Sequence, residues 1–284
     1  MSFHPEIISW LQDHHHGSIT NSNPVGGGCI HNARLIQTDT GFRFFLKQNT
    51  QTASEICEKE ARGLKALAIP GGPVLPEVYL VGTSYLMLED LQPELRRKDF
   101  WELYGDQLAQ VHKQVNDLFG FQENNYIGSN PQINTWMENG HEFFRENRLI
   151  PQIINAQERN LLTSQDLRNL DILIAKLPEL IPEQPPSLIH GDLWNGNLIT
   201  DHRGMPAIID PAVYYGWAEA DLAMTDLFGS YPIEFYKTYS EVRSLNPGYR
   251  DRYKIYNLYH LINHLNLFGK GYLPQIRTIL ARYT

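Results

Sequence analysis

The chain has 284 residues, of which 42% are hydrophobic and 20% are charged, as is typical of a globular protein with one or two packed lobes. Its net charge of −8, without a basic stripe, argues against nucleic acid and anionic membranes as partners. No apolar run approaches the ~20 residues of a membrane span. The two cysteines, Cys29 and Cys57, suit a reducing compartment, so we expect a cytoplasmic protein.

The first chemically suggestive stretch is rich in glycine. Gly26, Gly27 and Gly28, followed by Cys29, precede a strand predicted at residues 30–37. Glycine permits close backbone approach, so successive N–H groups of such a loop can bind phosphate. A glycine-rich hairpin turn is the commoner interpretation and stays open. The loop also lacks the lysine of a Walker motif, so a cation must come from elsewhere.

A lysine and a glutamate that could supply and orient this cation follow. Lys47 ends an apolar strand predicted at residues 42–47, and the capping-box spacing of Thr52 and Glu55 predicts a helix after it. Glu60 falls on the apolar face of that helix, where a carboxylate needs a partner. In a kinase Lys47 would be this partner and would contact phosphates. The alternative is a solvated lysine and a glutamate at the edge of the helix.

The middle of the chain is predicted from apolar periodicity and from turn residues. Strands at residues 78–81 and 85–88 complete a small antiparallel sheet. They lead into Glu89, Asp90 and Leu91, where we place an interlobe hinge whose main chain would bind adenine. Further helices are expected at residues 99–112, 136–156 and 163–177, and from residue 219 onwards.

The most informative stretch is LIHGDLWNGNLITDHRGMPAIIDP at residues 188–211. Short apolar runs flank a turn at Gly204, so a hairpin is predicted that lets Asp192, Asn197 and Asp210 converge. This spacing is typical of the catalytic loop and metal-binding Asp of kinases. Asp192 could accept a hydroxyl proton, and the other two offer oxygen ligands suited to Mg²⁺. Each residue alone could instead bond the local backbone.

These four signals occur in chain order, as in a kinase. Together they predict an α+β, bilobal protein-kinase-like fold that uses ATP and Mg²⁺. Residues 1–90 would form a small antiparallel-sheet N-lobe, and residues 91–284 a larger, mostly helical C-lobe.

Longer motifs relate nearly the whole chain to a known family. They are GGGCIHNA at 26–33, FFLKQN at 44–49, EARGLKAL at 60–67, NYIG at 125–128, FFRENRL at 143–149, HGDLWNGN at 190–197, DPAVYYG at 210–216, EADLAMTDLFG at 219–229 and NHLNLFG at 263–269. On these motifs the chain resembles the fructosamine kinase, or ketosamine-3-kinase, family, relatives of the aminoglycoside phosphotransferases. Trp194 and the YYG after Asp210 point to this branch.

The resemblance implies a reaction and a role for each matching residue. The family phosphorylates the sugar 3-hydroxyl of ketosamines with ATP, and the unstable product returns the amine. The implied roles are Asp192 as base, Asn197 and Asp210 as Mg²⁺ ligands, Lys47 paired with Glu60, residues 89–91 at adenine, and Asp221 as a structural acid supporting the loop.

The substrate pocket is predicted to be aromatic and poor in carboxylates. Such a pocket suits a ketosamine, free or protein-bound, better than a polycationic aminoglycoside. Asn124 and Trp217 stand where the family often has acids, which leaves the sugar open. The rivals are an antibiotic or other small-alcohol kinase of this fold and a catalytically silent nucleotide-binding scaffold. The candidate substrate residues are Trp194, Tyr214, Tyr215, Trp217 and Asn125.

Cys29 directly follows the glycines predicted to cover the phosphates. A thiol beside loop N–H groups and Lys47 would favour the thiolate and be open to oxidants, although a small buried thiol is the commoner case. We therefore expect a monomer, or a redox-dependent dimer joined through Cys29, with Cys57 as a secondary site at most.

Overall fold

The computed structural model describes residues 3–26, 32–48 and 55–283. Gly27, Gly28, Cys29 and the predicted cap Thr52 lie outside these ranges. No helix in the described ranges is both long and apolar enough to cross a membrane.

The first part of the chain forms a five-stranded antiparallel sheet. Its order is β1-β2-β3-β5-β4. The strands are β1 (Ile19–Pro24), β2 (Asn32–Thr38), β3 (Arg43–Gln48), β4 (Val78–Gly82) and β5 (Tyr85–Glu89).

Two helices cover the two faces of this sheet. Because side chains alternate along a strand, Phe44 and Leu46 of β3 point to one face, where they pack with α1 (Pro5–Asp13). Lys47 therefore points to the other face. There Leu86 and Leu88 of β5 pack with α2 (Ile56–Leu67). The lysine and the helix that carries Glu60 are thus on the same side of the sheet.

The rest of the chain is mostly helical and has one large apolar core. Its centre is α10, in which positions on every side are buried. The helices are α3 (Phe100–His112), α4 (Gly140–Phe144), α5 (Ile150–Glu158), α6 (Ser164–Ala175), α7 (Leu177–Leu180), α8 (Ala218–Leu227), α9 (Ile233–Val242), α10 (Tyr249–Phe268) and α11 (Leu273–Leu280).

Three small two-stranded sheets lie among these helices. They pair β6 (Asn125–Ile127) with β7 (Asn130–Gln132), β8 (Ser187–Ile189) with β11 (Tyr214–Gly216), and β9 (Leu198–Thr200) with β10 (Pro206–Ile208). The β9–β10 pair is the predicted hairpin, and Asp201 holds its turn by accepting from the N–H groups of Arg203 and Met205. The predicted α+β, kinase-like architecture is confirmed, whereas the lobe boundary at residue 90 stays a prediction.

The helix predicted at residues 136–156 differs in the structure. It begins at Gly140, because the side chain of Asn139 accepts hydrogen bonds from the N–H groups of His141 and Glu142 and so caps it. A π-helical turn, Arg145–Leu149, then separates α4 from α5. Trp136, predicted inside the helix, lies before it and is half exposed.

Candidate active site

The loop that carries Asp192 leaves β8 through a tight bend at Gly191. Gly191 has φ +82°, in the left-handed region, and a Cβ there would collide with the carbonyl oxygen of Ala212. The next contact is also between backbones, since the N–H of Ala212 donates to the carbonyl of His190 at 2.9 Å. This bend therefore requires glycine, and it fixes Asp192 relative to the segment that follows Asp210.

Asp221 on α8 holds the same bend through hydrogen bonds to its backbone. Its carboxylate accepts from the N–H groups of His190 at 2.7 Å and Gly191 at 2.9 Å. Burial disfavours the charged carboxylate, but the hydrogen bonds that Asp221 accepts, chiefly the one from His112, outweigh burial and lower the pKa of Asp221. Burial keeps the His112 ring neutral by lowering its pKa, so its Nε2 donates to Asp221 and its Nδ1 accepts from Tyr239.

We expect Asp221→Asn to damage both stability and turnover. The two carboxylate oxygens of Asp221 accept from different loop N–H groups, whereas an amide has one acceptor oxygen, so at least one loop N–H loses its partner. A buried unpaired group of this kind costs about 1–3 kcal/mol. Urea denaturation and kcat measure the two effects. The matched control is Asp226→Asn, on the exposed end of the same helix. Equal behaviour of the two variants would show that Asp221 does not hold the loop.

Asp192 and Asn197 contact each other across the loop. Nδ2 of Asn197 donates to the carbonyl of Asp192 at 2.8 Å and lies 3.3 Å from its Oδ2. This orientation leaves Oδ1 of Asn197 as the atom that can bind a cation. Burial, aided by the negative charge of Asp210, raises the pKa of Asp192 to about 7. A carboxylate with that pKa is suited to accept a proton near neutral pH.

Lys47, on the sheet, pairs with two carboxylates of the site. Its Nζ lies 2.6 Å from Oε1 of Glu60 and also pairs with Oδ1 of Asp210. Lys47 is buried, which opposes its charge, but the two carboxylates outweigh burial and raise its pKa. Asp210 itself has φ +58°, which is uncommon outside glycine and marks a constrained position at a site.

These residues line a cavity of about 620 Å³. Of the predicted site residues, the cavity brings together Lys47, Glu60, Asn125, Asp192, Trp194, Asn197 and Asp210. Asn125 offers few free polar atoms, because its Nδ2 donates to the carbonyl of Val213 and its Oδ1 accepts from Gln132 and Asn134. Trp194 is half-buried, with its ring edge near Phe228.

Three predicted aromatic residues lie away from this cavity. Tyr214 and Trp217 are buried, and Arg148 lies over the Tyr214 ring at 3.7 Å from its centroid. Trp217 packs among core aromatic rings, and Tyr215 lies beside Trp136. Tyr214 and Trp217 belong to the apolar core of the helical part, and Tyr215 packs against that core. Their predicted role at the substrate therefore finds no support in their placement.

Asn124, which the sequence singled out together with Trp217, has a local structural role. Oδ1 of Asn124 accepts from the N–H of Asn134 at 2.8 Å, which ties together the two ends of the β6–β7 hairpin.

The residues predicted to bind the nucleotide in the glycine-rich loop and the hinge do not line the cavity or lie outside the described ranges. Gly26 follows β1 and is exposed, and the three residues after it lie outside the described ranges. Glu89 ends β5, Leu91 is buried, and Asp90 is ion-paired to Nε of Arg43 at 2.7 Å. Residues 89–91 connect the sheet to the helical part but do not line the cavity, so main-chain contact with adenine there stays a prediction.

One wall of the cavity was not predicted from the sequence, and it comes from the end of α10 and the segments beside it. Its members are Phe228, Asn263, His264, Leu267, Phe268 and Tyr272. The motif at residues 263–269 carried the family resemblance, and its polar Asn-His pair in an apolar helix was the available signal. Burial lowers the pKa of His264 to about 4, so its ring is neutral.

The donor set fits a magnesium ion completed by phosphate oxygens. Asn197 and Asp210 offer an amide oxygen and a carboxylate, the hard ligands that Mg²⁺ prefers. In the described ranges no group of three His, Cys, Asp or Glu side chains could hold a metal by itself. Asn197 and Asp210 would be the protein ligands, and oxygens of a nucleotide would complete the coordination.

A strand lysine paired with a helix glutamate, above a loop that presents Asp and Asn, defines a phosphotransferase of the protein-kinase-like class. An ADP-bound aminoglycoside phosphotransferase has this fold, with a TM-score of 0.66 over 98% of this chain and 97% of its own, at 13% identity. The family model described as fructosamine kinase matches residues 3–284. The chain belongs to the fructosamine kinase family.

Individual relatives agree over most of their length. A protein of Synechocystis sp. named as a probable ketoamine kinase is 38% identical over 93% of this chain and 90% of its own. A chloroplastic protein-ribulosamine 3-kinase of Oryza sativa subsp. indica is 37% identical over 93% of this chain and 79% of its own. The crystal structure of a candidate fructosamine-3-kinase from Thermobifida fusca is 30% identical, with a TM-score of 0.87 over 97% of each chain.

Proposed function

We propose that the protein transfers the γ-phosphoryl group of ATP to the sugar 3-hydroxyl of a ketosamine. The observation that carries the proposal is the cavity that holds Asp192, Asn197, Asp210 and the Lys47–Glu60 pair together. Relatives named as ketoamine and ribulosamine 3-kinases support the acceptor class. The 3-phosphate would destabilise the adduct and release the amine.

Asp192 is the proposed general base. Its carboxylate accepts the proton of the attacking hydroxyl, and the hydrogen bond from Asn197 to its carbonyl orients the loop. Lys47, held by Glu60, places a positive charge at the phosphates. Asn197 and Asp210 would hold Mg²⁺, which would supply positive charge to the transferring phosphoryl group.

The lining of the cavity favours a ketosamine over a polycationic antibiotic. Asp or Glu side chains in this lining are confined to Glu60, Asp192 and Asp210 among the described residues, and all three have roles in phosphoryl transfer. The lining also has aromatic side chains, and the rings of two of them, Trp194 and Phe228, meet edge to face. Aromatic faces bind sugar C–H surfaces and attract a single ammonium group without needing a carboxylate.

The test is an acceptor panel. ADP release would be followed with ATP and Mg²⁺ on fructose-, ribulose- and erythrulose-derived lysines, free and on protein, and on gentamicin. Asp192→Asn supplies the background rate. Turnover on at least one ketosamine and none on gentamicin is expected. Turnover on gentamicin alone would favour an antibiotic kinase, and no turnover on any acceptor would favour a silent nucleotide-binding scaffold.

We also propose that the protein acts in the cytoplasm as a monomer, or as an oxidised dimer joined through Cys29. Cys57 is a poor second site, because it is buried and burial raises the pKa of its thiol to about 11. Size-exclusion chromatography of wild type and Cys29→Ala, with and without dithiothreitol, is the check. A dimer that survives in Cys29→Ala would contradict the proposal.

A further inference from the structure

One carboxylate outside the catalytic set joins the helix that carries Glu60 to the helical part of the chain. Glu123 lies just before β6, and its Oε2 accepts from Nζ of Lys59 at 2.7 Å. The same oxygen pairs with Nη1 of Arg62. Lys59 and Arg62 are three positions apart on α2, so they share one face of that helix. Glu123 therefore contacts two successive turns of α2 at once.

The segment that presents Glu123 is itself firmly held. The carbonyl of Glu123 accepts from Nδ2 of Asn134 at 3.0 Å. Oδ1 of Asn134 in turn accepts from the buried guanidinium of Arg148 at 2.7 Å. Two residues further on, Asn125 donates to the carbonyl of Val213, in the segment that follows Asp210. The carboxylate is thus fixed to the same framework as the catalytic loop.

Lys59 and Arg62 each have a second acidic partner, at a longer distance than Glu123. Lys59 lies 3.5 Å from Glu55, and Arg62 lies 3.4 Å from Glu58, and both of these glutamates are on or next to α2 itself. Glu123 and Lys59 are only 17% and 15% exposed, so solvent screens their pair less than the outer ones. The hydrogen bond to Glu123 is also the main reason that the pKa of Lys59 is raised.

We propose that Glu123 is a positioning residue for phosphoryl transfer. Its paired contacts with Lys59 and Arg62 hold α2 where Glu60, the neighbour of Lys59, can reach Lys47 at 2.6 Å. Among the residues that the structure describes, Glu123 is the acidic partner that Lys59 and Arg62 have on the helical part of the chain, so its loss leaves α2 freer to shift. The proposal rests on the proposed function in that Lys47 serves the phosphates of ATP.

The test compares Glu123→Gln with Glu58→Gln. Glu58→Gln also removes a carboxylate that pairs with Arg62, but this carboxylate lies on α2 itself. The link between α2 and the rest of the chain therefore stays intact. ATP affinity is measured by titration calorimetry in the absence of acceptor. The kcat and the KM for ATP are measured with a ketosamine as acceptor, and Tm is measured by scanning calorimetry. Glu123→Gln is expected to weaken ATP binding and raise KM on the order of three- to tenfold with little change in Tm. Glu58→Gln should match wild type.

Charge and salt provide two further readouts. Glu123→Asp keeps the charge on a shorter side chain and should recover part of the affinity. The affinity ratio between wild type and Glu123→Gln should shrink as salt rises, because salt screens the pairs that the variant lacks.

Three results would overturn the proposal. Glu123→Gln could equal wild type in ATP affinity and KM, it could lose only Tm, or Glu58→Gln could lose as much affinity. If wild type binds ATP and phosphorylates a ketosamine in any of these cases, only the role of Glu123 fails. Absence of ATP binding by wild type would refute the proposed function, and the role of Glu123 with it.

Discussion

Asp192→Asn is expected to lower kcat by ~10²–10⁴-fold, because a neutral amide cannot accept the proton of the attacking hydroxyl. The loop should stay in place, since Asn197 donates to the main-chain carbonyl of residue 192 and Asp221 binds the backbone before it. ATP binding should therefore be retained.

Protein stability gives the control for this variant. Asp192 has a pKa raised to about 7 by burial and by Asp210, so the folded state disfavours its charge above that pH. Removing the charge should leave Tm equal or higher at pH 8. A variant that keeps more than half of wild-type kcat on a ketosamine would remove Asp192 from the role of base.

Lys47→Met should strongly impair productive use of ATP. The charge of Lys47 lies between Glu60 and Asp210 at the place proposed for the phosphates, and loss of one such group typically costs on the order of 10²–10³-fold in turnover. Stability should fall as well, because Glu60 is buried and loses its partner, and breaking a buried pair can cost about 3–5 kcal/mol.

A double variant separates these two effects. In Lys47→Met with Glu60→Gln the unpaired buried charge is gone, so much of the stability should return while kcat/KM for ATP stays low. Calorimetry with ATP and denaturation curves for the single and double variants make the measurement. Unchanged turnover and ATP affinity in Lys47→Met would show that the lysine serves only the fold.

The parts of the site that follow from local rules were predictable from the sequence. Alternation along β3 makes Lys47 and Leu46 point to opposite faces of the sheet, and helical spacing places Glu60 on the inner face of α2. The Lys47–Glu60 pair then forms as soon as α2 packs on the face of the sheet that carries Lys47. The hairpin that brings Asn197 near Asp210 was likewise set by its turn residues.

Long-range packing decided what could not be predicted. Trp217 follows the strand that pairs with β8, and that pairing directs it into the core rather than the cavity. His264 lies on α10, which is buried on almost every side, so apolar periodicity cannot separate the positions that face the cavity from those in the core. Asn139 was a visible helix cap, but the apolar Trp136 before it suggested an earlier start.

The central claim is that phosphate is transferred to one particular hydroxyl of a ketosamine. The most direct measurement is ³¹P and ¹³C NMR of the product formed from ribulose- or fructose-derived lysine, ATP, Mg²⁺ and the wild-type protein. A phosphate on the 3-oxygen of the sugar, formed together with ADP and followed by release of lysine, is the predicted result. Phosphate on another oxygen, or ADP and free phosphate without a phosphorylated sugar, would contradict the claim.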